Sequence, residues 1–353
     1  MKQASLLTAL ILILSLFLAG CNGLDKNAGR HEDDSTKLTV YTTIFPLEDF
    51  AKKIGGDFVK VESIYPPNVD AHSFEPSTKD MVKLANADLF IYTGAGIEGF
   101  ADKAVKSLKK QEVKIVKAAE EIELLKTKLS HEDAHGHEEE KAHSEEENGH
   151  EEEQDHGKEE ARSEDDPEHE EVEAHGHGTG DKDPHIWLDP ILAIKLANNI
   201  KNSLIERLPE QERVFEENFN NLRNRLEELD EEFSVAIEAS SSKYLLVSHA
   251  AYGYWEERYG IVQIPIAGLS PSHEPTQRGL AKIIEESKEH NIDYVVFEKN
   301  VSPKVSEIIQ KEIGAESLML SNLESITDED INNNEDYFSL MKKNLDTLIT
   351  ALQ

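Results

Sequence analysis

Residues 37–65, KLTVYTTIFPLEDFAKKIGGDFVKVESIY, decide the fold. The segment Lys37–Phe45 is dominated by β-branched and aromatic side chains and predicts a strand. Pro46–Ile54 carries apolar residues at helical spacing and stops at Gly55-Gly56, a helix terminator. Val59–Tyr65 predicts a second strand, closed by Pro66-Pro67. Strand, helix and strand in so short a span make a parallel-sheet unit with helices on its faces. The alternation continues with a helix capped by Ser77, a strand at Asp88–Tyr92, a helix at Gly99–Leu108 and a short strand at Val113–Val116.

The second half repeats the alternation after a long helical stretch. From Pro190 to about Ala239 the chain reads as helix, and Leu222, Leu226, Leu229 and Phe233 share one face. Arg223, Arg225, Glu227 and Glu228 form the solvated face. Strands follow at Tyr244–Ser248, Val262–Ile266, Tyr294–Phe297 and Ser317–Leu320, with helices at Ala281–His290, Pro303–Ile313 and Asp336–Leu352. The expected fold is α/β with two lobes, each a mainly parallel sheet flanked by helices. The lobes take residues 37–129 with 184–210, and residues 241–353; a linking helix at 211–240 joins them as a rigid spine.

Two segments stand outside this pattern. Residues 1–20 combine Lys2, an apolar run from Leu6 to Leu18 and small residues before Cys21. A run this short predicts a signal peptide rather than a membrane span. Cys21 is the single cysteine, so it can form no internal disulfide, and the Leu18-Ala19-Gly20-Cys21 pattern resembles a bacterial lipobox. Lipidation at Cys21 with a polar tether over 21–36 predicts a chain held at the extracytoplasmic face of the cell membrane. Residues 130–183 are nearly all polar, so they predict a disordered insertion. Between Glu132 and Glu173 lie 21 acidic and three basic residues, which carry −18 of the formal net charge of −34. The insertion also holds nine of the fifteen histidines: His131, His135, His137, His143, His150, His156, His169, His175 and His177. Histidine at that density predicts a weak multi-site metal trap. An acidic chain without a basic face excludes nucleic acid as a partner.

Candidate ligands sit where an open α/β sheet binds its ligands, at the carboxyl ends of strands. His72 follows the second strand in Asn68-Val69-Asp70-Ala71-His72-Ser73-Phe74-Glu75-Pro76. His185 lies between two prolines in Asp183-Pro184-His185-Ile186-Trp187-Leu188-Asp189-Pro190, where Asp189 can orient the imidazole or cap the next helix. His249 and Glu298 each end a predicted strand. Tyr252, Tyr254 and Trp255 read as packing around the cleft. Three imidazoles and a carboxylate favour tetrahedral Zn²⁺, whereas oxygen-rich sites favour Mn²⁺ or Ca²⁺.

Taken jointly, Val69–Pro76, Asp183–Pro190, Ser248–Trp255 and Val296–Ser302 resemble the metal-binding lipoproteins of bacterial zinc and manganese ABC importers, nearest the ZnuA/AdcA zinc branch. The resemblance implies two α/β lobes joined by one rigid helix, with metal in the interlobe cleft. It implies metal ligands at His72, His185 and His249, and His249 favours zinc because manganese relatives typically place Glu there. The fourth ligand is expected at Glu298, with Glu75 or a water as alternatives. The implied function is zinc delivery by a monomer to a membrane permease, with no enzymatic step. A manganese-binding homologue, a zinc hydrolase and a surface adhesin are the alternatives. The hydrolase is disfavoured because no predicted helix carries His-Glu-x-x-His; the match at His131–His135 falls in the insertion.

Overall fold

A computed structural model describes residues 37–127, 182–299 and 304–353. Cys21, the signal and tether segments and the nine insertion histidines lie outside them. Two four-stranded sheets form the framework. The first contains β1 (Leu38–Thr42), β2 (Val59–Ser63), β3 (Leu89–Tyr92) and β4 (Lys114–Lys117). The second contains β5 (Tyr244–His249), β6 (Val262–Ala267), β7 (Tyr294–Glu298) and β8 (Glu316–Leu320). Their strand orders, β2-β1-β3-β4 and β6-β5-β7-β8, are the same arrangement, and every pairing is parallel. The halves thus share a topology that no repeat in the sequence announces.

Helices follow the strands as the sequence reading anticipates. They are α1 (Phe45–Gly55), α2 (Thr78–Ala85), α3 (Ala101–Leu108), α4 (Pro190–Arg207) and α5 (Glu212–Glu238), then α6 (Gly253–Tyr259), α7 (Gln277–Glu289), α8 (Lys304–Ile313), α9 (Asp328–Asn332) and α10 (Tyr337–Ala351). Ser77 caps α2 through a capping box with Asp80. The helical stretch from Pro190 is two helices, because Leu208 and the turn Pro209–Gln211 interrupt it. Proline cannot donate to the preceding turn, so α4 ends before it. The short α6 and α9 have no counterpart in the sequence reading.

Helix α5 acts as the spine through its packing. Phe215, Phe219, Leu222, Leu226, Leu229, Phe233 and Ile237 form one buried face. It contacts α1 and α4 from the first half and α6 and α10 from the second. One apolar core consequently runs through both halves, from Val40 and Phe90 to Val247 and Leu348. A second cluster covers the other face of the second sheet, with Leu246, Val295 and Phe297 opposite Leu245, Val247 and Val296. Alternate residues therefore bury on opposite faces, as a covered parallel sheet requires. The register pairs Glu298 with Leu320 and His249 with Ala267, so the carboxyl ends of β5 to β8 lie along one edge of the sheet.

Candidate metal centre

Four segments converge on one buried point. After β2 the chain turns through Asn68, whose φ is 63° and whose N–H donates to the Ile326 carbonyl (3.0 Å). Asp70 then accepts from the His72 N–H (3.0 Å) and the Ser73 hydroxyl (2.6 Å). This side-chain-to-backbone turn presents His72, whose ring is 5% exposed.

His185 precedes the turn Ile186–Leu188 that opens α4. Asp183 Oδ1 accepts from the His185 N–H (2.9 Å) and lies 2.8 Å from His185 Nδ1. The carboxylate can only accept, so Nδ1 carries the proton and Nε2 faces inward. Aromatic side chains of the second half clamp this segment. Tyr254 donates to the Asp183 carbonyl (3.0 Å), Trp255 to that of Leu188 (2.7 Å) and Tyr337 to that of Trp187 (2.7 Å). Asp189 caps α4 by accepting from Ile191 and Leu192 N–H and pairs with Arg258. Of its two anticipated roles, capping is the one the geometry has; Asp183 orients the imidazole instead. Lys182 and Asp183, assigned from sequence to the insertion, belong to the fold through a bridge to Lys126 and a bond to the Leu125 carbonyl.

His249 ends β5, and its Nδ1 lies 2.7 Å from Glu298 Oε1. The expected fourth ligand, Glu298, therefore stands on the outer nitrogen of His249 rather than among the three inner ones. Its carboxylate faces away because β7 lies beside β5 and aims Glu298 at the His249 ring edge. Glu75 is exposed and outside the cluster. The carboxylate that does face the three imidazoles is Glu324, on the segment after β8. Its Oε1 lies 3.3 Å from His72 Nε2, 3.6 Å from His185 Nε2 and 3.8 Å from His249 Nε2, and the last two nitrogens are 3.4 Å apart. Tetrahedral ligands at about 2.0 Å from zinc stand about 3.3 Å from one another. His72, His185, His249 and Glu324 are the one grouping of this kind among the described residues.

The electrostatics match a cation site. His72 Nε2 and Glu324 Oε1 are buried without a hydrogen-bond partner among the described residues, an uncommon state that calls for an explanation. Burial disfavours charge on His185, but the Asp183 hydrogen bond and the negative charges of Asp183 and Glu324 outweigh it and raise its pKa to about 9. Burial also opposes ionisation of Glu324, yet the imidazoles of His72, His185 and His249 hold it well below the usual carboxylate range. A cleft of about 390 Å³ opens onto His72 between Gly94–Asp102 and Ser270–His273. His273, which the sequence reading passed over, also lines it.

The family model described as zinc-uptake complex component A, periplasmic (ZnuA), matches residues 40–351. The chain belongs to the ZnuA family. It is 33% identical over 338 residues to the high-affinity zinc uptake system protein ZnuA of Bacillus subtilis, covering 96% of this chain and 94% of that one. It is also 33% identical over 348 residues to the zinc-binding lipoprotein AdcA of Streptococcus pneumoniae, covering 99% of this chain but 60% of AdcA. The chain thus spans only part of the AdcA proteins. The Zn(II)-bound ZnuA-like domain of that AdcA superposes with a TM-score of 0.67 at 30% identity, over 90% of this chain and 99% of that one.

Two site residues escaped the sequence reading although signals for them exist. Glu324 lies in the segment that follows the last parallel strand, as His72 lies in the segment that follows the second. Asp183 stands two residues before His185, close enough to fold back onto its ring.

Proposed function

We propose that this ZnuA-family chain captures Zn²⁺ with His72, His185, His249 and Glu324 and delivers it to a membrane ABC permease. The observation that carries the reading is the convergence of three imidazole Nε2 atoms on one buried carboxylate oxygen at 3.3–3.8 Å. Such a set has three nitrogens and one oxygen, which suits zinc over manganese. Asp183 and Glu298 hold the outer nitrogens of His185 and His249, so the inner nitrogens are aimed at one point before an ion arrives. The cargo is an ion that undergoes no covalent change, so capture and release are the whole of the proposed function. The test is calorimetric titration of metal-stripped protein with Zn²⁺, then Mn²⁺ in competition. Tight 1:1 zinc binding that tenfold excess Mn²⁺ does not displace is expected; equal preference would overturn the choice of metal.

Lipidation at Cys21 would keep the carrier beside its permease. The histidines between His131 and His177 would gather zinc weakly and raise its concentration near the cleft. Deleting 131–179 is expected to reduce the number of weakly bound zinc ions while leaving the tight binding event intact. Loss of the tight event in the same titration would overturn that division of labour.

A further inference from the structure

Between β8 and α9 the chain runs Leu320-Ser321-Asn322-Leu323-Glu324. Leu323 is fully buried, and its φ is 57°. A bulky residue adopts that left-handed conformation only when its surroundings force it. Three bonds do so here. Leu323 N–H donates to Ser321 Oγ (3.3 Å), Glu324 N–H to Asn322 Oδ1 (3.1 Å), and Phe45 N–H to the Glu324 carbonyl (3.1 Å). The second of these closes an Asx turn over Leu323 and sets where Glu324 leaves the backbone.

The same Asn322 side chain has a second task. Its Nδ2 donates to Glu298 Oε2 (2.9 Å), while Glu298 Oε1 takes His249 Nδ1 (2.7 Å). The two bonds also fix the amide's orientation, since a main-chain N–H needs an acceptor and a carboxylate needs a donor. The Asn322 carbonyl further accepts from Trp187 Nε1 (2.8 Å), beside His185. Asn322 is itself buried.

We propose that Asn322 is a positioning residue for the zinc site. Its one amide sets the carboxylate that orients His249 and the main-chain N–H that carries Glu324, so the third and fourth ligands are placed together by a residue that never touches the ion. This rests on the zinc-site reading above.

The test exchanges donor and acceptor. In Asn322→Asp, the introduced carboxylate still accepts from Glu324 N–H but faces Glu298 with like charge. In Glu298→Gln, the introduced amide cannot satisfy both His249 Nδ1–H and Asn322 Nδ2–H. Each single variant is expected to weaken zinc binding 10–100-fold, the range typical of groups behind metal ligands. In the double variant, the amide introduced at position 298 can accept from His249 and donate to the carboxylate introduced at position 322, with the net charge of the pair unchanged. It is expected to recover at least about tenfold in affinity over either single variant, a non-additivity that direct contact produces. A role confined to general folding would make the two losses add.

Wild-type affinity in Asn322→Asp, or additive losses in the double variant, would overturn the proposal. Should Asn322→Asp not fold, Asn322→Ser keeps an acceptor near Glu324 N–H but cannot reach Glu298. Weakened zinc binding with an unchanged melting temperature supports the assignment, and wild-type affinity refutes it. The zinc reading fails separately, if the wild type binds zinc weakly or binds it equally well as His249→Ala.

Discussion

Replacing Glu324 by alanine is expected to weaken zinc binding far more than replacing Glu298, although both carboxylates are buried beside His249. Glu324 presents its oxygen to all three inner nitrogens, whereas Glu298 meets only the outer nitrogen of one ring. In Glu324→Ala a divalent ion would lose the one carboxylate that faces it among the four proposed ligands. Leaving a buried charge without its partner costs about 3–5 kcal/mol. That corresponds to roughly 150- to 4,000-fold in affinity at about 1.4 kcal/mol per tenfold. Glu298→Ala leaves the four proposed ligands in place and removes the hold on His249, so about 10–100-fold is expected. Competition titrations against a chromophoric chelator would rank the two variants. A larger loss in Glu298→Ala would return the fourth-ligand role to that residue and undo the site as described.

The contrast between these two glutamates shows where a linear reading works. Strands and helices were legible because their signals are local: β-branched runs in β1 and β7, Gly55-Gly56 at the end of α1, the Ser77 cap of α2. The buried face of α5 was legible because a helix repeats its core contacts at regular spacing. The three histidines were legible as a set at strand ends and beside prolines. Which glutamate turns toward them was not, because that depends on strand order and side-chain direction. β7 lies beside β5, so Glu298 meets the edge of the His249 ring. Glu324 faces the inner side next to Leu323, which adopts a left-handed conformation that its residue type argues against. The Asp183–His185 contact was missed for a related reason. Asp183 reads as the last residue of a charged tract until Tyr254 and the Leu125 segment are seen to hold it in the core.

Zinc affinity is expected to climb with pH well into the alkaline range, and His185 is the reason. An ordinary histidine pKa of about 6.5 would place the loss of affinity below that pH. Burial alone would push His185 lower still, but Asp183 and Glu324 raise it to about 9. At pH 7 the zinc-free protein therefore holds a proton on His185 that an incoming ion must displace. This single proton makes the binding constant rise about tenfold per pH unit between about 6.5 and 9, then level off. Chelator competition at half-unit steps from about pH 6.5 to 9.5 would measure the slope, and a flat profile above pH 7 would refute the displaced proton. Stability of the zinc-free form should run the other way. A raised pKa contributes stability that is complete below about 6.5 and disappears as pH passes about 9, so its melting temperature should fall across that window. Glu324, with its lowered pKa, stays ionised throughout and keeps its contribution until strongly acidic pH. The zinc-loaded form has no proton on His185 to lose, so its melting temperature should stay nearly level over the same range. In the zinc-free protein a proton on His185 thus supplies part of the positive charge that faces Glu324, and zinc bound at the proposed site would take over that role.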